Sequence, residues 1–219
     1  MDIKLIFEKA NHEMAGNLSV AFNDNQIDVG KITELIDAYR TRASAIENEL
    51  INEIIYDLFV SLQLSLTGMY RHSFISTRCA LELGVTLIKF KDDNLSFLLW
   101  KENREDISWT NFFDEDRGVF SNKYVNLFLK DSNFELVRLR AKNLYRECSE
   151  YVHGKYGYIS LLGDPKFSYN KELCKKTLEV CEESIKILNI LLIARFGNKA
   201  ISIMYCLKNL GRSLKYSNE

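Results

Sequence analysis

The sequence predicts an all-α protein, a single bundle of long antiparallel helices. Only one of the 219 residues is proline, against an average usage of about 5%, and proline interrupts helices. Apolar residues recur at spacings of three and four in several long segments, as on the buried face of a helix. No alternation of strand and helix patterns is present, so a parallel α/β sheet is not expected.

The composition is typical of a globular protein, with 47% apolar and 27% charged residues. Five scattered cysteines without a CxxC motif predict a reducing cytoplasm and no metal site or other cofactor. No apolar signal segment opens the chain, and the longest apolar run, 187–194, is far shorter than the roughly 20 residues of a membrane span. We therefore expect a cytoplasmic protein that has no contact with membranes. The net charge of −1 gives no reason to expect non-specific nucleic-acid binding.

Helical periodicity gives the elements of the N-terminal half. The predicted helices are, in order, 4–22, about 31 to about 70, 73–91 and 95–103, separated by Asn- and Asp-rich breaks at 22–30 and 92–94. Gly16 weakens the first helix, and Gly68 marks the end of the second. Arg78 and Glu82 lie one turn apart and are expected to brace the bundle as an ion pair.

The C-terminal half begins with an irregular, aromatic-rich segment. Six aromatic residues within 104–131 predict short helices whose rings fill the core: Trp109, Phe112, Phe113, Phe120, Tyr124 and Phe128. SNFE, at 132–135, is a capping box that opens a helix reaching about Lys155. A long loop is expected at 157–170, followed by helices at 171–196 and 200–210. Because no linker or repeat divides the chain, we expect one domain over 1–219, with 1–22 as a peripheral N-terminal helix.

A helical wheel divides the helix at 132–155 into two faces. The predicted core stripe consists of Val137, Ala141, Leu144, Cys148, Tyr151 and Val152. Arg146 and His153 lie roughly 160–180° from this stripe with Cα atoms about 10 Å apart, so that both side chains can converge on one phosphate-sized group. The broad outward face also carries Lys142, Ser149 and Glu150, which a solvated polar surface would equally explain. An apolar residue on the same face, Leu139, favours contact with a partner.

Two segments carry a family resemblance. In LYRECSEYVHGKY, Arg146 and His153 are separated by six residues near the end of an aromatic-rich helix, and STRCALELGVTLIKF, at 76–90, forms an earlier Arg–Glu helix. Over about 50–194 the chain resembles the HEPN superfamily of all-helical ribonucleases and related domains. It departs from the family at Glu147, where active members often carry Asn, Asp or His after the arginine.

The resemblance implies a homodimer in which each protomer gives one Arg and one His to a metal-independent RNA-cleaving site. His153 would act as general base or acid while the ribose 2′-OH attacks the adjacent phosphate, and Arg146 would hold that phosphate. Glu147, Lys142, Ser149 and Glu150 would support the site or contact RNA. Such a protein would be a toxin or anti-phage defence effector, restrained by an inhibitory antitoxin or a sensor protein.

Two alternatives stay open. One is a catalytically inactive HEPN-like interaction or sensor module, and the other is a helical adaptor unrelated to the family. Arg138, Arg140 and Lys142 could attract an RNA backbone or form an ordinary solvated helix surface.

The remaining polar residues give no competing site. Arg71 and His72 are adjacent on a helix, so their side chains diverge and are interpreted as structural, and His12 has no matching partner. The sequence contains no HExxH motif, no Ser/His/Asp order and no phosphate-binding glycine loop.

Overall fold

The computed structural model describes residues 2–24, 28–43, 50–128, 134–161 and 168–196, and these form helices without strands. The all-α prediction is confirmed. The α-helices are α1 (Ile3–Phe22), α2 (Val29–Ala43), α3 (Leu50–Leu66), α4 (Tyr70–Asp92), α5 (Asn94–Lys101), α6 (Asn122–Phe128), α7 (Phe134–Val152), α8 (Tyr156–Leu161) and α9 (Lys171–Phe196). A 3₁₀ helix, Trp109–Phe113, lies between α5 and α6.

The centre of the molecule is formed by α3, α4 and α9, with α7 packed on the outer side of α4. The interface between α3 and α4 contains small hydroxyl side chains, with the Oγ of Ser61 2.6 Å from Oγ1 of Thr77 and 3.0 Å from Oγ of Ser73. Because these buried hydroxyls satisfy one another, the two helices can pack closely without burying unpaired polar groups. Further along α4, Gly84 contacts the buried side chain of Leu188 from α9.

A polar contact fixes α2 against α9. The Asn189 side chain is buried, donates to the carbonyls of Ile185 and Leu35, and accepts a hydrogen bond from Arg42 Nη1 at 2.5 Å. A buried amide with all these partners sets the register of the two helices.

Five of the six aromatic residues of the irregular segment enter the core, as predicted, and the side chain of Phe128 lies outside the described part of the chain. Trp109, Phe112 and Phe120 are buried, whereas Phe113 and Tyr124 are partly buried. The rings of Phe113 and Phe120 stack at 4.8 Å, so the segment is held by aromatic packing rather than by long helices.

The predicted helix boundaries need several corrections. The stretch predicted at 31–70 contains α2 and α3, with 44–49 outside the described residues, and α3 ends before Gly68, whose φ of +87° suits glycine. The helix predicted to reach Lys155 ends at Val152. The predicted loop at 157–170 begins within a helix, α8, whose Tyr158 ring packs edge-on against Tyr151 at 5.0 Å. The first two residues of the predicted capping box and the predicted helix at 200–210 lie outside the described residues.

Candidate functional site

The buried face of α7 is the predicted one. Five of the six stripe residues are buried, and Val152 is partly exposed: Val137, Ala141, Leu144, Cys148 and Tyr151 form the buried set. Tyr151 packs the end of α7 against α4, where its ring stacks on Phe74 with ring centroids 3.8 Å apart. Arg146 and His153 are both exposed on the opposite side, so α7 and the residue that follows it present these two side chains to solvent.

His153 lies at the C-terminal end of α7, directly after its last residue. Its backbone N–H still donates to the carbonyl of Ser149, at 2.9 Å. The next residue, Gly154, has a φ of +63°, and the N–H groups of Gly154 and Lys155 turn back to the carbonyls of Tyr151 and Glu150. This is a Schellman cap, which requires a residue that tolerates positive φ. The cap fixes the backbone of His153, while its imidazole makes no hydrogen bond or ion pair with the described residues.

Arg71 reinforces the same helix end from α4. Its Nε donates to the carbonyl of Tyr151 at 3.1 Å, and its Nη2 donates to the carbonyl of Val152 at 3.2 Å. A guanidinium at a helix C-terminus satisfies free carbonyls and interacts favourably with the helix dipole. The interpretation of Arg71 as structural therefore agrees with its contacts, and its structural role is to hold the turn that carries His153.

Arg146 differs from the other arginines of α7 in its exposure. Its side chain is 81% exposed, against 30% for Arg138 and 20% for Arg140. Arg140 forms an ion pair with Glu183 of α9, whereas the nearest carboxylate oxygen to Arg146 Nε is 3.8 Å away, on Glu150. Arg146 therefore has the guanidinium most available to a ligand among these three.

Glu150 was predicted on the exposed face, but it is buried. Lys155 Nζ lies 2.5 Å from one of its carboxylate oxygens, and Arg146 Nε lies 3.8 Å from the other. Glu150 therefore serves as an anionic link between two cations. Lys142 is exposed one turn before Arg146 and adds a third cation to this face of α7.

The other predicted supporting residues have local partners. Glu147 pairs with Lys176 of α9 at 2.8 Å, which directs it toward the bundle and away from Arg146. The Ser149 hydroxyl donates to the carbonyl of Tyr145 at 2.7 Å. The Glu147 contact ties α7 to α9, whereas the Ser149 contact satisfies its hydroxyl within the helix.

Two residues that sequence reasoning did not single out join the exposed face beyond the cap. Lys155 pairs with Glu150, and Tyr156 is 86% exposed at the start of α8. A tyrosine ring this exposed can stack on a base or an aromatic partner. In the sequence, only their position shortly after His153 pointed to these two residues. Position alone does not show whether a side chain is exposed.

Arg78 and Glu82 meet at the hydroxyl of Tyr145 from α7. Arg78 Nη2 donates to this hydroxyl at 2.6 Å, and the hydroxyl donates to Glu82 Oε1 at 3.4 Å. The ring of Tyr145 stacks on Trp109 at 4.0 Å. Arg78 and Glu82 therefore do not form the direct ion pair that was expected, and the hydroxyl of Tyr145 bridges them, which joins α4, α7 and the 3₁₀ helix. Burial raises the pKa of the Glu82 carboxyl.

Away from this face, a cleft of about 650 Å³ opens beside the C-terminal end of α4. Its carboxylates already have structural partners. Asp92 pairs with Arg195, and Asp93 and Asp114 accept backbone N–H groups at the start of α5 and after the 3₁₀ helix. These contacts account for the acidic lining without a ligand.

No three His, Cys, Asp or Glu side chains of the described residues are grouped so that they could hold a metal ion. In the same part of the chain, no helix has both the length and the apolar character needed to cross a bilayer.

Comparisons with protein-family models, curated proteins and solved structures found no match for this chain.

Proposed function

We propose that this protein is a HEPN-type, metal-independent endoribonuclease whose site forms where the outward faces of two α7 helices meet. The observation that carries the proposal is the joint exposure of Arg146 and His153 on the face opposite the core stripe. Neither residue is needed for packing, since Arg146 is 81% exposed and the His153 imidazole is without a partner among the described residues. A guanidinium and an imidazole two helical turns apart are the groups that RNA transesterification requires.

The proposed reaction uses the ribose 2′-OH as nucleophile. His153 accepts the 2′-OH proton, and the 2′-oxygen then forms a bond to the adjacent phosphorus. The bond from phosphorus to the 5′-oxygen breaks, and that oxygen takes a proton from the second histidine of the dimer. Arg146 binds the phosphoryl oxygens and stabilises the charge that develops on them. The products are a 2′,3′-cyclic phosphate and a free 5′-hydroxyl.

The surrounding cations would attract the substrate. Lys142 and Lys155 lie on either side of the Arg146–Glu150 pair, and RNA binding at such a face is expected to weaken as salt rises. A toxin or defence effector of this kind would act in the cytoplasm and be held inactive by an antitoxin or sensor protein that covers α7.

The test is RNA cleavage by His153→Ala compared with His72→Ala. Both histidines are exposed, so neither variant should unfold, and only the first removes the proposed base. Loss of a general base typically reduces the rate by about 10²–10⁴-fold. We expect this loss in His153→Ala, unchanged cleavage in His72→Ala, and wild-type cleavage that resists EDTA and leaves cyclic phosphate ends. Cleavage by His153→Ala at the wild-type rate would overturn the assignment.

A second candidate is an inactive interaction module with the same outward face. The observation that favours it is Glu150, whose carboxylate lies between Arg146 and Lys155 and competes with a phosphate for both cations. This candidate predicts that wild-type protein does not cleave RNA and that partner binding depends on Leu139. The absence of cleavage and of growth toxicity in the wild type would favour it over the ribonuclease.

A further inference from the structure

The first helix carries a mainly apolar stripe that the described part of the bundle buries only toward its C-terminal end. At 100° per residue, the residues of α1 that share one face are Ile3, Ile6, Phe7, Ala10, Met14, Asn17, Leu18 and Ala21. The last three contact the rest of the molecule. Asn17 donates to the carbonyl of Thr67 at 2.9 Å and accepts the Tyr169 N–H at 3.1 Å, Ala21 is buried, and Leu18 packs against the core.

Toward the N-terminus the described residues cover the same stripe less, since Ala10 and Met14 are partly exposed and Ile3, Ile6 and Phe7 are exposed. None of the residues of α1 before Asn17 is buried, and the Phe7 side chain is 65% exposed. From Ile3 to Met14 the open part is about 17 Å long, at 1.5 Å per residue. Isolated exposed apolar residues are common on protein surfaces, but a continuous row of this kind marks an interaction surface.

We propose that this open stripe is a self-association surface on which a second copy of the chain packs its own α1 in antiparallel orientation. The spacing of Ile3, Phe7, Ala10 and Met14 is four, three and four residues, which is the seam of a two-helix coiled coil. The stripe is also complementary to itself. When two copies are aligned antiparallel about the midpoint of α1 residues 8 and 9, Ile3 faces Met14 of the second copy and Phe7 faces Ala10. Large side chains then pair with small or flexible ones in every layer.

The charges of α1 favour a second copy over a lipid surface. Lys4, Glu8, Lys9 and Glu13 all lie outside the stripe, so pairing buries no unpaired charge, and their charges cancel. A membrane-binding helix of this type usually carries an excess of lysine or arginine on its polar face. The surface does not involve α7, so the inference is independent of the proposed ribonuclease activity.

Sedimentation velocity over a wide concentration range tests the proposal with two matched variants of the full chain. Phe7→Glu places a charge in the stripe, and Leu5→Glu places the same charge on the opposite side of α1. The two side chains are equally exposed, at 65% and 63%, and circular dichroism reports whether α1 stays helical. Since an isologous contact joins two equal units, its loss should lower the assembly mass about twofold. We expect this loss in Phe7→Glu only.

The possible results separate this surface from the α7 face. If the α7 faces also pair, Phe7→Glu still halves the assembly mass, and Leu139→Glu removes the contact between the α7 faces. If the α7 faces do not pair, Phe7→Glu alone gives monomers. A wild type that stays monomeric at all concentrations overturns the proposal. It is equally overturned if Phe7→Glu and Leu5→Glu sediment alike, because the contact would then not depend on the stripe.

Discussion

Asp57, on α3, is a half-buried carboxyl whose ionisation opposes folding. Burial, followed by repulsion from Glu53 one turn earlier, raises the pKa of Asp57 from 3.8 to about 6. The unfolded chain therefore loses this proton at lower pH than the folded chain does. As pH rises from the unfolded-state pKa of Asp57 to its folded-state pKa, the free energy of unfolding falls. Below the unfolded-state pKa, the favourable contribution of the protonated carboxyl is complete.

We expect Asp57→Asn to raise the free energy of unfolding at neutral pH, because the amide keeps the shape of the side chain without its charge. The gain should shrink as pH falls through about 6 and vanish below about 4. Urea unfolding of wild type and variant at both ends of this range measures the difference. Asp106→Asn, which changes an exposed carboxyl, serves as the control for the substitution itself and should not stabilise the protein at neutral pH. A variant no more stable than wild type at neutral pH would contradict this account.

At the residue scale, the sequence located the exposed pair on α7 but not the contacts that hold it. Arg146 and His153 could be placed opposite the core stripe because an apolar repeat fixes the orientation of a helix. The capping role of Arg71 could not be predicted, since its carbonyl partners are 80 and 81 residues away in the chain. Glu150 was expected in solvent but is buried, and its partner Lys155 lies beyond the end of the helix.

At the scale of elements, strong apolar periodicity predicted the helices, whereas their ends had to be predicted from weaker local signals. α9 matches its prediction at both ends, Lys171 and Phe196, because a polar segment precedes it and an apolar pattern fills it. α7 ends earlier than predicted, since Gly154 adopts positive φ and closes the Schellman cap. α8 was missed because Gly157 and the nearby proline favoured a loop, whereas the contact between Tyr151 and Tyr158 is a tertiary one.

The packing of α4 on α9 gives a second prediction. A Cβ at Gly84 would lie 2.8 Å from Leu188 Cδ1, and Leu188 is buried, so the clash cannot be relieved by movement into solvent. We expect Gly84→Ala to lower the free energy of unfolding by about 1–3 kcal/mol. This loss should appear although alanine favours helix over glycine by about 1 kcal/mol.

Chemical denaturation of Gly84→Ala beside Gly16→Ala separates the two effects. Gly16 is also helical, but a Cβ there meets no other atom within 4 Å. Gly16→Ala should therefore keep wild-type stability or gain up to about 1 kcal/mol from helix propensity alone. Equal stabilities of the two variants would show that α4 and α9 are not in close contact at this point.

At the scale of the whole molecule, two exposed surfaces of the described residues have features that the packing of the core does not explain. One is the outward face of α7, with Arg146, His153 and Leu139, and the other is the open stripe of α1. The α7 face combines cations with an exposed leucine, which suits a contact that also binds a polyanion, whereas the α1 stripe is apolar and flanked by balanced charge. The sequence alone indicated the first surface. It could not reveal the second, because the periodicity of α1 is the same whether its stripe is covered or open.

If ribonuclease activity depends on two α7 helices meeting, then Leu139 must matter for cleavage although it carries no reactive group. Leu139 is 53% exposed and lies one heptad before Arg146, so Leu139→Glu should fold normally while placing a charge in the proposed contact. We expect RNA cleavage to fall at least about tenfold, because an unpaired charge buried in a contact costs more than the 1.4 kcal/mol that a tenfold change requires. Leu127→Glu, at an even more exposed leucine of α6 (76%), is the control and should cleave as wild type does. Leu139→Glu could instead keep full cleavage at concentrations where sedimentation shows that the α7 contact is lost. Each protomer would then contain a complete site, and the dimeric arrangement of Arg146 and His153 would be wrong.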